Sequence, residues 1–187
     1  MDYTTLITGI AAAASAVAVA YIRYRKPKKA TTSIQDIADV NTTLNSLVST
    51  GGVDRVMVLH THNGTGRPSP GFPLKVSSLQ TATQLPNLDS LYRDILVDSV
   101  YVHTLCDLIE HSKLKITTSD LPPSLLRTVY EREGITHSRW YWLATSNTRI
   151  YYITVGATSD RIFHTTLDFT IELAVAHLRS IFSKDKR

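Results

Sequence analysis

Cysteine is nearly absent from this chain, and the shortage excludes two classes of site. Cys106 is the only cysteine among 187 residues. The chain therefore cannot form an intramolecular disulfide, nor a zinc site built from several thiolates. Cys106 lies in a segment rich in apolar residues, Val100–Ile109, which predicts a buried and chemically inert thiol.

Net charge is also missing from most of the chain. The 20 basic and 16 acidic residues give +4, but residues 1–29 hold five of the basic groups and a single acid. The 15 basic and 15 acidic residues that follow cancel each other. Because binding to nucleic acid phosphates needs clustered Lys and Arg, this balance argues against a nucleic-acid partner.

A third absence is that of any charged residue between positions 3 and 22. A helix of that length spans about 30 Å, the thickness of the hydrocarbon core of a bilayer. The basic run from Arg23 to Lys29 follows directly, and the positive-inside rule keeps such a run in the cytoplasm. The sequence thus predicts a single-pass protein of the inner membrane, with its N-terminus outside and its C-terminal domain cytoplasmic. The predicted span includes Tyr3, Leu6, Gly9, Ala13, Ala16, Ala20 and Ile22.

Two alternatives stay open for this segment. Small residues around Ala16 to Ala20 look like a signal-peptide cleavage site, although the basic region that precedes the apolar core of a signal peptide is missing. Small residues also recur every fourth position, from Gly9 to Ala13 and from Ala12 to Ala20. Such spacing lets two helix backbones approach closely and favours a membrane homodimer, unless the alanines merely fill a weakly apolar span.

Hydrophobic periodicity predicts one α+β domain after the membrane helix. Residues 1–24 are interpreted as the span with its short N-terminus, residues 25–32 as a basic linker, and residues 33–187 as the domain. An antiparallel sheet is expected between an N-terminal and a C-terminal helix. Strands are predicted at 53–62, 74–79, 113–117, 138–145 and 149–157, and helices at 33–51, 88–96, 98–108, 120–134 and 160–182.

The first helix of the domain can be interpreted in two ways. Its residues Ile34, Ile37, Asn41, Leu44 and Val48 take alternating a and d positions of a short coiled coil, with a polar residue at one a position. The other interpretation is an amphipathic helix that packs on the domain's own sheet.

The candidate ligand site lies where the first strand ends. The two-residue period of a strand places His60 and His62 on one face, and a loop rich in Gly and Pro follows. Basic side chains in and after this loop could meet an anionic ligand, and an aromatic strand near Trp140 could supply a pocket wall. The candidate ligand-binding residues are His60, His62, Asn63, Arg67, Lys75 and Trp140.

Catalysis finds little support in the sequence. A His-x-His pair can present two imidazoles to a metal, but a catalytic zinc site needs a third ligand, and none is identifiable nearby in sequence. No nucleophile, base and orienting residue form a recognisable set, so we do not expect an enzyme. The sequence identifies no cofactor.

The order of elements, together with the stretches His60-Thr-His-Asn-Gly-Thr-Gly-Arg-Pro and Leu125–Gly134, resembles a GAF-type sensor domain over residues 33–183. More narrowly, it is similar to short membrane-anchored GAF-like proteins of phage and bacterial genomes. The resemblance implies a GAF/PAS-like sheet and small-molecule sensing or dimerisation, with family ligands that range from cyclic nucleotides to tetrapyrroles. The chain lacks the cyclic-nucleotide signature, and Cys106 matches no pattern of chromophore attachment.

The sequence therefore predicts a membrane-tethered GAF-like domain that acts as a small-ligand sensor, or as a signalling and assembly module, at the inner membrane face. Its expected partners are the lipid bilayer, a second copy, a small molecule or another protein. One alternative is a pure protein–protein interaction anchor without a ligand pocket, and a third is a metal-dependent enzyme that uses His60 and His62. A deep pocket beside His60, His62 and Trp140 would favour the sensor, whereas a packed core with an exposed apolar patch would favour the anchor.

Overall fold

A six-stranded antiparallel sheet forms the centre of the computed structural model, which describes residues 32–63, 73–85, 92–146, 149–159 and 163–183. The strands follow the order β3-β2-β1-β6-β5-β4, and each pairs with its neighbours in antiparallel fashion. Their bounds are β1 Arg55–His62, β2 Lys75–Thr83, β3 Ile95–Leu96, β4 Lys113–Thr117, β5 His137–Ser146 and β6 Arg149–Ala157.

Helices cover both faces of the sheet. The helices are α1 Thr32–Gly51, α2 Ser99–His111, α3 Leu125–Glu133 and α4 Thr165–Phe182. Successive residues of β1 point to opposite faces, so Val56 and Val58 join one core cluster with α1 and α4. Met57 and Leu59 join the other cluster, with α2 and α3. The two sides are called here the α1/α4 face and the α2/α3 face.

The two helices of the α1/α4 face run in opposite directions. A Cβ atom at Gly51, the last residue of α1, would lie 2.9 Å from Leu167 Cδ1 in the first turn of α4. The end of α4 reaches the start of β6, where the rings of Phe182 and Tyr151 are 5.4 Å apart. Since a short turn also joins α1 to β1, the start of α1, the end of α4 and the end of β1 lie at the same end of the sheet. We call it the His62 end.

Most predicted elements are present in the structure. The predicted strands at 113–117 and 149–157 have the bounds of β4 and β6. The carboxylate of Asp98 accepts a hydrogen bond from the Tyr101 amide at 2.9 Å, as expected of a helix cap. In α1, Leu44 and Val48 are buried against the sheet, as the amphipathic interpretation requires, whereas the side chains of Ile34 and Ile37 are exposed.

Three helix predictions are wrong in part. No helix covers 92–96, because Ile95 pairs with Val76 of β2 as a short strand and the preceding residues turn. Asp120 does not cap α3; the cap is Ser124, because Pro123 disfavours helical backbone at the residue before it and so delays the start of the helix. The last helix begins at Thr165 rather than at Asp160, with His164 as its cap.

The prediction of a buried Cys106 is wrong as well. Its side chain is exposed, because Leu105 and Leu108 form the buried stripe of α2 and Cys106 falls one position outside that stripe.

The predicted membrane span, residues 3–22, lies outside the described residues and stays a prediction. None of the helices within the described ranges combines the length and the apolar character needed to cross a bilayer.

Candidate functional site

His60 and His62 project from the same face of β1, as the strand period predicts. Their rings stack with centroids 5.0 Å apart. His62 Nε2 lies 2.8 Å from Ser77 Oγ on the neighbouring strand and 3.5 Å from Asp94 Oδ1. The Asp94 amide donates a hydrogen bond to the same Ser77 hydroxyl at 2.8 Å. These contacts tie the end of β1 to the turn that precedes β3.

Ring contacts extend from the histidine pair to α4. The centroids of His60 and Tyr151 are 6.1 Å apart, and Tyr151 contacts Phe182 at the last residue of α4. Four rings in series thus connect the end of β1 with the end of the C-terminal helix, on the α1/α4 face.

The environment of His60 keeps its imidazole neutral at pH 7. Burial is the main cause, and the charges of His62 and Arg149 add to it, so that the pKa of His60 falls from 6.5 to about 4.

Three basic residues occupy adjacent register positions at the His62 end. Lys75 pairs with His62 across β2 and β1. On the other side, His60 pairs with Tyr151, which places Arg149 beside His62, because Arg149 lies two residues before Tyr151 and on the same face. Lys75 and Arg149 are half-buried, and within the described ranges neither has an ion-pair partner.

The structure brings four of the six predicted ligand-binding residues together: His60, His62, Asn63 and Lys75. Arg67 lies outside the described residues. Trp140 does not belong to the group, because its side chain is fully buried on the α2/α3 face. His60 and His62 lie on the α1/α4 face, so Trp140 and the histidine pair are on opposite faces of the sheet.

Trp140 instead belongs to a packed aromatic cluster. Its ring centroid lies 5.4 Å from that of Tyr101 and 5.2 Å from that of Tyr152. The hydroxyl oxygens of Tyr101 and Tyr152 are 2.7 Å apart, and Trp140 Nε1 donates to the Tyr130 hydroxyl at 2.7 Å. Burial raises the pKa of Tyr101 and Tyr152 well above 10, so both phenols stay protonated. These side chains fill the centre of the α2/α3 face.

A buried ion pair beside this cluster was not predicted from the sequence. The Arg55 guanidinium donates hydrogen bonds to the Glu133 carboxylate and to the Tyr92 hydroxyl. It also lies over the rings of Tyr92 and Tyr130, at 5.1 and 5.2 Å from their centroids. Arg55 Nε and Glu133 Oε1 are buried and have no hydrogen-bond partner among the described residues. The one sequence signal was a charged residue inside an otherwise apolar strand.

Two surface clefts in the described part of the chain lie near charged side chains. The first, of about 350 Å³, borders the candidate site through Ser77 and is also lined by Tyr92 and Arg93. The second, of about 410 Å³, lies between β4 and α4 and is lined by Lys113, Tyr141 and Arg179 among others.

Within the described ranges, the histidine pair has no third metal ligand. Among the residues that the structure describes, no three His, Cys, Asp or Glu side chains are placed to hold one metal ion.

Comparison with solved structures identifies the fold. The phycocyanobilin-bound GAF domain of a cyanobacterial phytochrome matches with a TM-score of 0.62 and 12% identity, over 92% of this chain and 94% of that one. The GAF domain/HD domain protein of Geobacter sulfurreducens matches with a TM-score of 0.58 and 12% identity, over 82% and 94%. The fold is GAF-like.

A third GAF-like match is the GAF domain of a two-component sensor histidine kinase from Bacillus halodurans, with a TM-score of 0.55 and 12% identity, over 83% of this chain and 96% of that one. No protein-family model matches this chain, and no curated protein matches it in sequence. The predicted antiparallel GAF-like sheet flanked by N- and C-terminal helices is confirmed. At such low identity the similarity establishes the fold alone.

Proposed function

We propose that this chain is a membrane-tethered GAF-like signalling and assembly module whose α1/α4 face binds a second copy of the chain. The proposal depends mainly on apolar side chains along the outward side of α4. Phe169 is 62% exposed, Leu173 is half-buried and Ala176 is exposed. Their spacing of four and three residues places them on one side of the helix. On α1, Ile34 and Ile37 are 80% and 50% exposed and add apolar surface.

A second copy suits this surface better than an unrelated partner. The chain beyond residue 29 carries as many basic as acidic residues, so two copies of the domain do not repel each other strongly. A dimer of the predicted span, with its four-residue spacing of small residues, would hold two domains side by side. The second contact would then form at a high effective concentration, so that a weak apolar surface suffices.

Cysteine cross-linking tests which surface of the domain faces the second copy. Ala176 is exposed on the proposed contact side, so the double variant Cys106→Ser and Ala176→Cys in the full chain should form a disulfide-linked dimer on mild oxidation. The wild-type chain is the matched control, because its single exposed Cys106 lies on α2 on the other side of the sheet.

Disruption of the same surface provides the complementary test. Phe169→Glu in the cross-linking background should reduce the dimer yield severalfold, since it would bury a carboxylate against an apolar surface. Ile109→Glu serves as control, because Ile109 is similarly apolar and exposed but lies on α2. Equal cross-linking at positions 106 and 176, or no effect of Phe169→Glu, would contradict the proposal.

Ligand sensing on the α2/α3 face is a second candidate function. The buried Arg55 Nε and Glu133 Oε1 lack partners among the described residues, and a polar ligand group could satisfy them. Native mass spectrometry of the full chain, released from mild detergent, should then detect a co-purified small molecule that is lost from the double variant Arg55→Met and Glu133→Leu, which removes both charges together. A wild-type protein without bound mass would count against this candidate and leave the assembly proposal standing.

The native thiol offers a test of the proposed orientation. Because Cys106 is exposed, a membrane-impermeant maleimide should label it only after the cells are permeabilised, with Cys106→Ser as background. Labelling in intact cells would refute a cytoplasmic domain.

A further inference from the structure

We propose that Lys75 and Arg149, which flank His62, form a binding surface for a phosphate group at the His62 end of the sheet. This inference is separate from the assembly proposal, because it concerns the end of the sheet rather than the outward side of α4.

The register places Lys75 and Arg149 on either side of His62. The three residues lie on β2, β1 and β6, three neighbouring strands, and alternation directs all three to the α1/α4 face. Adjacent strands are about 4.8 Å apart, so the outer two backbones are separated by about 10 Å. Long Lys and Arg side chains can converge across that distance on the oxygens of one phosphate. The buried imidazole of His62, held by Ser77, lies between the two strands that carry them.

The charges at this end favour an anion. Lys75 and Arg149 have no ion-pair partner within the described ranges. The acidic neighbour is Asp94, whose Oδ1 lies 3.5 Å from His62 Nε2 and whose side chain is 54% exposed. It offsets one of the two positive charges and leaves a surplus of one among these described residues.

The charge of Arg149 also acts on His60, whose pKa it helps to lower. A phosphate beside Arg149 carries the opposite charge to an imidazolium, so the same field favours it.

A phosphate group from either of two sources would fit the surface. The His62 end is where α1 begins, and the predicted membrane span precedes α1 in sequence, so an anionic lipid headgroup is one source. A soluble phosphate compound is the other. Both present the same oxygens, and the experiment separates them.

The test follows the imidazole of His62 by NMR in the full chain, labelled with ¹⁵N-histidine and held in phosphatidylcholine nanodiscs at constant pH. One arm titrates inorganic pyrophosphate, and the other replaces part of the lipid by phosphatidic acid, whose phosphate carries no choline, with no added soluble phosphate. A saturable shift of the His62 signals in either arm supports the surface, and the arm that responds identifies the source.

Variants decide whether the named side chains carry the effect. The double variant Lys75→Gln and Arg149→Gln should weaken binding by about tenfold or more for each cation removed. The double variant Lys115→Gln and Arg132→Gln removes the same charge from exposed positions elsewhere and should bind like the wild type. The conservative pair Lys75→Arg and Arg149→Lys should retain the shift, which separates lost charge from lost folding. No shift in either arm, or equal binding by the Gln variant of the site, would overturn the proposal.

Discussion

The buried Arg55–Glu133 pair allows the sharpest prediction of stability. Each side chain is only 1% exposed, so the substitution Glu133→Leu leaves a guanidinium in the core with the Tyr92 hydroxyl as its remaining acceptor partner. Removal of one partner of a buried ion pair costs about 3–5 kcal/mol. A domain of this size has a free energy of unfolding of about 5–15 kcal/mol, so the single variant should lose a large fraction of its stability.

Removal of both charges should cost less than removal of one. The double variant Arg55→Met and Glu133→Leu eliminates the unpaired charge and leaves only the Tyr92 hydroxyl without its donor, which costs about 1–3 kcal/mol. We therefore expect the double variant to be about 2 kcal/mol more stable than Glu133→Leu, the difference between those two ranges.

Urea unfolding of the full chain in mild detergent, followed by the fluorescence of the buried Trp140, measures both free energies. The control is Glu131→Leu, which removes an exposed carboxylate from the same helix and breaks the surface pair with Arg127. It should cost about 0.5 kcal/mol or less. A cost below about 1 kcal/mol for Glu133→Leu, or a double variant less stable than the single one, would refute the argument about the unpaired charge.

Two further predictions concern pH and helix caps. Because the folded protein keeps His60 neutral, its free energy of unfolding should be highest above pH 6.5. It should fall towards pH 4 by about 1–2 kcal/mol after solvent screening. His60→Gln should flatten this pH dependence, whereas the exposed control His111→Gln should not. Asp98→Ala should lower the free energy of unfolding in urea by about 1–2 kcal/mol, because the two carboxylate oxygens of Asp98 accept hydrogen bonds from the amides of Tyr101 and Leu125. An effect no larger than that of Asp107→Ala would contradict this.

Local patterns in the sequence were sufficient for most of the fold. The period of two in β1 correctly placed His60 and His62 on one face, because alternation within a single strand depends only on the backbone. The cap at Asp98 and the stop at Gly134 were also predicted, since each acts within one turn of its helix. Gly134 has a φ of 70°, a conformation that glycine adopts without strain.

Features that depend on pairing between distant strands were not predictable. The face on which Trp140 lies relative to His60 depends on the register of β1 with β6 and of β6 with β5. The second pairing contains an irregularity between Trp142 and Ala144. Arg55 and Glu133 are 78 positions apart in sequence, and no periodicity connects them. The helical spacing near Ile95 was overridden by its hydrogen bonds with β2.

The two edges of the sheet bear on how the molecule avoids unwanted association. β3, at one edge, has only two residues. Next to it, the pairing of β2 with β1 is irregular after Val58. β4, at the other edge, presents the exposed Lys113 and Lys115. A very short strand and lysines both discourage a foreign strand from extending a sheet, and with it the growth of fibrils. Contacts between copies are thereby directed away from open backbone and towards helical surfaces, where side chains determine which partner fits.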